Sequence, residues 1–295
     1  MKHSANVTYR RELRWMLLPY ALGALVLIGV PALLTLALAF FNYDAISPPT
    51  FVGTLNFLDV FGEPLVWVAI KNTLYFIFLA VPLRAAIALG LALLLNERRR
   101  GMGVLRAAIY LPTTIPEAAY ALIWLWIVNP LYGPLNLVLR AIGLPAPDWL
   151  INFDTAKLPF VMMSAFQIGE GFVILLAGLR SQSKEVHDAA AVDGGNRWQI
   201  LRYITLPQLK PWLTLLIVRD IILGFQYTFT PSIIMTGGDP YYATLFTPLL
   251  IYEEAFDRFR FGQGAVIMLL VFALTAYLLY ALLQLSKGWG YADEA

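Results

Sequence analysis

Long blocks of apolar residues alternate with shorter polar segments along this chain, and the length of the blocks indicates which elements they form. A helix needs about 20 apolar residues to cross a bilayer, and six blocks reach this length. They cover residues 16–41, 66–95, 107–128, 158–179, 213–235 and 264–286. These blocks do not show the short alternation of membrane strands, so helices explain them better than a barrel. We predict an all-α, polytopic membrane protein, with residues 1–295 as a single domain of six transmembrane helices.

The distribution of basic residues predicts the orientation of these helices. If the N-terminal tail, 1–15, lies in the cytoplasm, 14 of the 21 Lys and Arg residues fall in cytoplasmic segments and four in outer segments. Such a bias is typical of the cytoplasmic side of membrane proteins. We therefore predict that both termini are cytoplasmic and that the longest cytoplasmic loop is 180–212.

Composition excludes several classes of function. With 59% hydrophobic and 14% charged residues, the chain has too little polar surface for a soluble globule, and its net charge of +2 gives no field for nucleic acid. It has no cysteine and two histidines, so we expect no metal site, no catalytic residue and no enzymatic activity. A G-x-x-x-x-G-K-[ST] motif is lacking, so we expect this chain to bind no ATP or other cofactor itself.

The loop 180–212 has the most informative pattern. Residues 184–192 are typical of a short helix, with Ser183 as its N-cap and a surface of small alanines. Gly194 and Gly195 are expected to end this helix and turn the chain. A second short helix should follow, and Pro207 and Pro211 are expected to break it before the fifth span. Trp198, Leu201, Arg202 and Thr205 are expected to lie on one face of this second helix.

This loop resembles the EAA loop of ABC importer permeases. The match includes Leu206-Pro207 and Pro211 beyond the glycines, with Asp188 in place of the usual Glu and Gly195 in place of the usual Ala. Further matches, among them Asn72-Thr73-Leu74, resemble the carbohydrate-uptake branch, the maltose and glycerol-phosphate type permeases. The resemblance implies that the loop couples the chain to an ATPase through Asp188, Ala189, Ala190, Asp193, Gly194 and Trp198.

The resemblance also implies a fold and a set of partners. The fold would be that of a type I ABC importer permease, embedded in lipid in a bacterial or archaeal inner membrane. Two cytoplasmic ATPase subunits would bind ATP and Mg²⁺, and their closure would rock this chain and a second, unlike permease from inward-facing to outward-facing. An extracytoplasmic solute-binding protein would deliver a sugar or a related polyol.

Ionisable residues inside the predicted spans are expected to have a structural or functional role, because burying a charge in a membrane costs free energy. Glu117, Glu170 and Asp220 each lie roughly 15 Å from the cytoplasmic ends of their spans, near the centre of the bilayer. Carboxylates at this depth would accept hydrogen bonds from sugar hydroxyls, and they fit neutral sugars, polyols or amino sugars better than polyanions. Carrying the family's sugar contacts onto this sequence gives the candidate substrate path Thr113, Glu117, Phe166, Gln167, Glu170 and Gln226.

Two other interpretations remain open at this stage. Arg84, Arg219 and Asp220 would serve the structure alone if they pair across helices, although the neighbours Arg219 and Asp220 are not expected to pair with each other. The midplane carboxylates would be ion sites if the chain were an ion-coupled secondary transporter. Such a transporter is expected to contain inverted repeats, and none is visible in the sequence.

Overall fold

The computed structural model describes residues 13, 15–97 and 99–287. Most of the predicted tail, 1–15, and the last residues of the predicted domain, 288–295, lie outside the described residues. The described chain divides into two units. Unit 1 contains residues 1–63 and 251–270, and unit 2 contains residues 64–250 and 271–295.

The elements are almost all helical, as predicted. The first half has α1 Trp15–Leu38, β1 Phe41–Asn42, β2 Thr50–Phe51, α2 Leu55–Gly62, α3 Pro64–Leu94, α4 Met102–Tyr110, α5 Glu117–Ile127 and α6 Pro134–Ala141. The second half has α7 Leu158–Phe166, α8 Gly169–Arg180, α9 Lys184–Val192, α10 Arg197–Ile200, α11 Leu206–Gly224, α12 Phe229–Met235, α13 Thr247–Tyr252 and α14 Phe261–Lys287. A 3₁₀ turn, Leu111–Thr114, follows α4, and π turns lie at Leu25–Gly29, Leu201–Thr205 and Glu253–Asp257.

Unit 1 contains a short hairpin held by a buried amide. β1 and β2 pair antiparallel, with Phe41 opposite Phe51. Asn56, on α2, is buried and donates through Nδ2 to the carbonyls of Ala39 and Phe41, both at 2.9 Å. Since a buried amide must find partners, Asn56 fixes α2 against the chain that leaves α1.

Unit 2 is organised around α3, the longest helix. Three small residues on one stripe of α3, Ala85, Ala88 and Ala92, are buried against large apolar side chains of α8 and α11. Small residues of this kind let membrane helices approach closely. The same holds where α8 meets α11, because a Cβ atom at Gly178 would lie 2.6 Å from the ring of Trp212.

Buried polar residues near the start of α3 hold the chain that follows α12. Asn72 donates through Nδ2 to the carbonyls of Tyr242 at 2.8 Å and Leu245 at 3.0 Å, and its Oδ1 accepts from Lys157 Nζ at 3.0 Å. The backbone N–H of Thr247 donates to Thr73 Oγ1 at 2.9 Å. The motif Asn72-Thr73 therefore satisfies backbone groups that the membrane would leave without partners.

The predicted spans differ in continuity. Within the described residues, three continuous helices are long and apolar enough to cross a membrane, Trp15–Leu38, Pro64–Leu94 and Phe261–Ser286. The predicted fourth span is the pair α7 and α8, bent by 46°. The predicted fifth span, 213–235, lies within a second bent pair, Arg197–Gly224 and α12, with an angle of 44°. The predicted third span, 107–128, consists of α4, the 3₁₀ turn and α5, and α5 at about 16 Å is too short to cross alone.

The helix at the start of the fifth span corrects one sequence prediction. Pro207 and Pro211 do not break it, because an uninterrupted helix runs from Arg197 to Gly224. Pro207 lies in the first turn of α11, directly after the wider π turn Leu201–Thr205, where the N–H of Leu206 bonds to the carbonyl of Leu201. Proline is tolerated in a first turn and in membrane helices whose freed carbonyls find other partners. The helix breaks instead at residues 225–228, beyond α11.

Candidate functional site

Three helix breaks surround a polar cavity in unit 2. The breaks lie at residues 111–116, 167–168 and 225–228, one in each of the predicted third, fourth and fifth spans. Irregular backbone at membrane depth is tolerated where it is covered by protein or lines a water-filled space. The cavity has a volume of about 90 Å³ and is lined by Arg84, Thr113, Ile115, Glu117, Gln167, Glu170, Arg219 and Tyr227.

The break before α5 positions two of the predicted path residues. Thr113 lies in the 3₁₀ turn, and its Oγ1 donates to the carbonyl of Tyr110 at 2.6 Å. Glu117 is the first residue of α5, where the helix dipole stabilises a carboxylate. Its Oε2 accepts from Thr230 Oγ1, on α12, at 3.0 Å. The carboxylate of Glu117 therefore joins two broken spans and remains exposed on the cavity side.

The break between α7 and α8 positions the other two predicted path residues that line the cavity, Gln167 and Glu170. Gln167 caps the C-terminal end of α7, and Glu170 lies in the first turn of α8. Gly169, between them, packs so closely that a Cβ atom would lie 2.8 Å from the Cα of Tyr110. This glycine therefore allows the chain after α4 and the start of α8 to meet at the cavity.

A chain of alternating charges crosses the wall of this cavity. Arg84 Nε, on α3, donates to Asp220 Oδ2, on α11, at 3.0 Å, and Arg84 Nη1 donates to the carbonyl of Ser164 at 3.4 Å. Arg219 Nη1 donates to Asp220 Oδ1 at 3.0 Å, and Arg219 Nη2 pairs with Glu170 Oε2. Two arginines thus neutralise two carboxylates, and the chain ties α3 and α8 to α11.

The ion chain corrects a second sequence prediction. Arg219 and Asp220 were expected not to pair because neighbouring side chains leave a helix in different directions. They do pair, because the arginine side chain is long enough to turn back to the carboxylate that Arg84 also binds. The side chain of Asp220 is 2% exposed and that of Arg84 11%, so this pair is buried in the protein.

Two predicted path residues lie outside the lining of this cavity. Phe166 packs against Trp124, with ring centroids 5.4 Å apart, and lines a separate apolar groove of about 550 Å³ beside α3 and α4. Gln226 is exposed within the break at 225–228, and its neighbour Tyr227 lines the cavity instead. Counting along an unbroken helix cannot locate the face that a broken segment presents.

The loop between α8 and α11 has the helix and turn that its sequence indicates. Ser183 Oγ accepts from the N–H of Val186 at 3.4 Å at the start of α9. The hydroxyl of Ser183 also donates to Glu185, and this bond lowers the pKa of Glu185 below its usual value. At the other end, Gly194 has a φ of +87°, and the N–H of Gly195 bonds to the carbonyl of Ala190 at 2.9 Å. This Schellman turn requires the left-handed conformation that glycine adopts most easily.

One face of this loop is exposed and partly apolar. Asp188, Ala189, Asp193, Gly194 and Trp198 are exposed, whereas Ala190 is half-buried on the inner side of α9. Trp198 is 67% exposed, and Val192, which is not among the residues predicted from the sequence, is 87% exposed. Val192 lies three residues after Ala189, so helix geometry could have placed it on the same exposed face. We call the exposed set Asp188, Ala189, Val192, Asp193, Gly194 and Trp198 the coupling surface.

Comparisons with known proteins agree with this architecture. The family described as "Binding-protein-dependent transport system inner membrane component" matches residues 85–286. The chain is 31% identical over 276 residues to the probable ABC transporter permease protein YesP of Bacillus subtilis, covering 92% of this chain and 89% of that protein. It is 30% identical over 275 residues to the trehalose/maltose transport system permease protein MalF of Thermococcus litoralis, covering 92% of each.

A solved structure shares the fold. The chain superposes with a TM-score of 0.80 at 22% identity, covering 96% of both chains, on a chain of a bacterial alginate ABC transporter in complex with alginate pentasaccharide-bound periplasmic protein. At this identity the likeness shows the fold alone.

The chain therefore belongs to the family of binding-protein-dependent transport system inner membrane components, the permease subunits of ABC transporters. The resemblance based on the coupling loop and the predicted all-α type I permease fold are confirmed. Permeases of this family are multi-pass, non-catalytic membrane subunits, and this chain is one of them.

The buried ion pair predicts a specific pattern of stability. Replacing Asp220 by Leu leaves Arg84 buried without its bidentate partner, and we expect a loss of about 3–5 kcal/mol in the free energy of unfolding. Replacing both residues, Arg84→Met with Asp220→Leu, removes the uncompensated charge and should recover most of that loss. Thermal unfolding of the purified protein in detergent measures both. A single variant as stable as the wild type, or a double variant less stable than the single, would contradict the assignment.

Proposed function

We propose that this chain is a permease subunit of an ATP-driven importer and forms part of the translocation path for a sugar or a related polyol. The observation that carries the proposal is the polar cavity at the breaks of three predicted spans. The name of the relative MalF, a trehalose/maltose transport system permease, supports a sugar as the substrate. The charged lining supports a polar solute, since ionisable groups inside membrane-spanning segments commonly mark the path of a substrate or an ion.

The charges of the cavity favour an uncharged substrate. Arg84 is paired with Asp220, and Arg219 with Glu170, so these four side chains leave no net charge. Glu117 accepts its hydrogen bond from a hydroxyl, that of Thr230, and not from an arginine. A sugar hydroxyl can replace Thr230 as the donor, and the charge-assisted bond is stronger than a neutral one. An anionic sugar would meet the carboxylate of Glu117 instead.

The cavity residues divide into two roles under this proposal. Glu117, Gln167 and Thr113 contact the substrate through hydrogen bonds, and Glu170 contributes through the oxygen that faces the cavity. Tyr227 provides an aromatic face on which the apolar side of a sugar ring can stack. Phe166 and Gln226 contribute only if the path extends beyond the cavity toward the second permease.

The coupling surface is the proposed docking site for a cytoplasmic ATPase. Its two exposed apolar side chains, Val192 and Trp198, and its bare alanine suit insertion into a groove of another protein. Under this proposal the loop 180–212 and both termini lie in the cytoplasm, as the bias of basic residues predicts. The full assembly would contain two ATPases that bind ATP and Mg²⁺, a second, unlike permease and an extracytoplasmic solute-binding protein, in a bacterial or archaeal inner membrane.

An ion-coupled secondary transporter is less well supported. Such a protein needs a carboxylate that binds and releases an ion during each cycle. Glu170 and Asp220 are each bound to an arginine, which competes with any proton or metal cation. The coupling surface would also have no role in a transporter driven by an ion gradient.

The substrate path predicts a change in transport kinetics. Replacing Glu117 by Gln keeps the shape of the side chain but removes its charge, so it should raise the KM for uptake about tenfold. Adding Glu170→Gln should increase the effect, because Arg219 then loses one of its two carboxylates. Uptake of radiolabelled sugar by proteoliposomes containing the purified transporter measures the KM.

The matched control is Glu97→Gln, which removes an exposed carboxylate that pairs with Arg99 and does not line the cavity. Its uptake kinetics should equal those of the wild type. Unchanged kinetics in the Glu117→Gln, Glu170→Gln double variant would refute the path assignment.

The coupling surface predicts a loss of association. Replacing exposed Ala189 by Trp should prevent insertion into an ATPase groove, so the amount of ATPase that co-purifies with the chain should fall at least about tenfold, as expected for an interface core residue. Leu131→Trp is the control, since Leu131 is 73% exposed and lies in a predicted outer segment. Both variants should insert into the membrane at wild-type levels. Normal ATPase recovery with Ala189→Trp would show that another surface docks the ATPase.

A further inference from the structure

We propose that a hydrogen bond between His187 and Thr205 fixes α9 to the continuous helix Arg197–Gly224. Movement of α9 is thereby transmitted to the residues of the cavity. His187 is then a positioning residue for transport, and Thr205 is its partner. The inference rests on the proposed function, because it requires that an ATPase moves α9.

Both nitrogens of the His187 ring have partners. Nδ1 lies 3.0 Å from the carbonyl oxygen of Ser183, and Nε2 lies 3.1 Å from Thr205 Oγ1. A carbonyl can only accept, so Nδ1 carries the proton and donates. In the neutral ring Nε2 is then an acceptor, and the hydroxyl of Thr205 donates to it. The ring thus has one defined orientation, fixed at the start of α9 and at the base of α11.

Thr205 occupies an anchored position at the base of α11. It is 8% exposed and ends the π turn Leu201–Thr205 that leads into α11. Its backbone carbonyl accepts a second bond from the loop, from Gln182 Nε2 at 3.0 Å. One residue therefore receives contacts from both the segment before α9 and α9 itself. Single π turns inside helices are often found at functional positions.

Few other contacts hold α9 in place. None of the residues Lys184–Val192 is buried, so α9 gains little stability from packing. Its ends lead into a short turn after α8 and into the glycines at 194 and 195. His187 and Ala190 lie on its inner side, and of these two the histidine has polar atoms that reach α11. Without this bond the ends of α9 act as hinges, and α9 can tilt with a smaller displacement of α11, to which it is then joined through the turn at 193–196.

The other end of α11 reaches the cavity. Arg219 lies 14 residues after Thr205, which corresponds to about 21 Å along a helix. Arg219 and Asp220 bind Glu170 on α8 and Arg84 on α3. A displacement of Thr205 is therefore carried by a continuous helix to the ion chain, where it changes the positions of Arg219 and of Glu170. This gives a physical route from the coupling surface to the substrate.

The test compares variants that remove or retain the hydroxyl. Thr205→Val keeps the shape of the side chain and removes the donor, whereas Thr205→Ser keeps the donor. His187→Phe removes both ring nitrogens and keeps an aromatic ring, at a position outside the predicted spans. The control Ser181→Ala removes another hydroxyl of the same loop, one that donates to the carbonyl of Gly178 on α8 at 2.9 Å and makes no contact with α9 or Thr205 in that bond. The readout is the number of ATP molecules hydrolysed per sugar transported by the whole complex in proteoliposomes, with ATPase co-purification measured in parallel.

We expect Thr205→Val and His187→Phe each to raise this ratio about two- to tenfold, the range that corresponds to the loss of one hydrogen bond. The double variant should be no worse than either single variant, because both remove the same bond. Thr205→Ser and Ser181→Ala should match the wild type, and ATPase co-purification should not change in any of them.

Four results would overturn the inference. A wild-type ratio in both single variants, or additive effects in the double variant, would show that the bond does not transmit movement while leaving the proposed function intact. A loss of ATPase co-purification in Thr205→Val and His187→Phe would show that the contact serves docking instead. If the wild-type complex imported no sugar when supplied with ATP, the proposed function itself would fail, and this inference with it.

Discussion

The buried ion pair between Arg84 and Asp220 is the interaction on which the site depends. A guanidinium in the interior of a membrane protein is stable only beside a counter-ion, and Asp220 provides one with two oxygens. The second oxygen of Asp220 also holds Arg219, which in turn holds Glu170. The three helices that provide these side chains, α3, α8 and α11, are thereby fixed in register around the polar cavity. These ion pairs therefore hold together the helices that form the cavity, in addition to lining it.

The breaks in the helices follow from the same constraint. A polar cavity within a membrane protein needs hydrogen-bonding groups that a regular helix has already used. Interrupting three spans at 111–116, 167–168 and 225–228 exposes backbone and places new helix starts beside the cavity. The glutamates at 117 and 170 then lie in first turns, where the helix dipole favours their charge. The unbroken helix Arg197–Gly224 links this region to the loop at its other end.

Local patterns in the sequence were sufficient for the parts of the structure that are local. The apolar blocks gave the helical class, and the glycine pair gave the end of α9. The break at 167–168 could not be predicted in this way, because it contains no proline and arises from the close contact of Gly169 with the chain after α4. The break at 225–228 changes which side chains face the cavity, and counting along a regular helix does not identify Tyr227 as one that lines it. Likewise, the pair Arg219–Asp220 depends on the length and path of a side chain, which helix geometry alone does not specify.

Solvent access to the cavity is the most direct measurement of the central claim, that water and substrate reach the breaks in the predicted spans. The chain has no cysteine, so a single introduced thiol is the one labelled position in this subunit once the subunit is separated from its partners on a denaturing gel. In membrane vesicles containing the assembled transporter, a Gln167→Cys variant should react with a small hydrophilic thiol reagent. A Leu175→Cys variant, at a position on α8 that is 0% exposed, should not. An unreactive thiol at 167, or equal reaction at both positions, would contradict a water-filled path at this site.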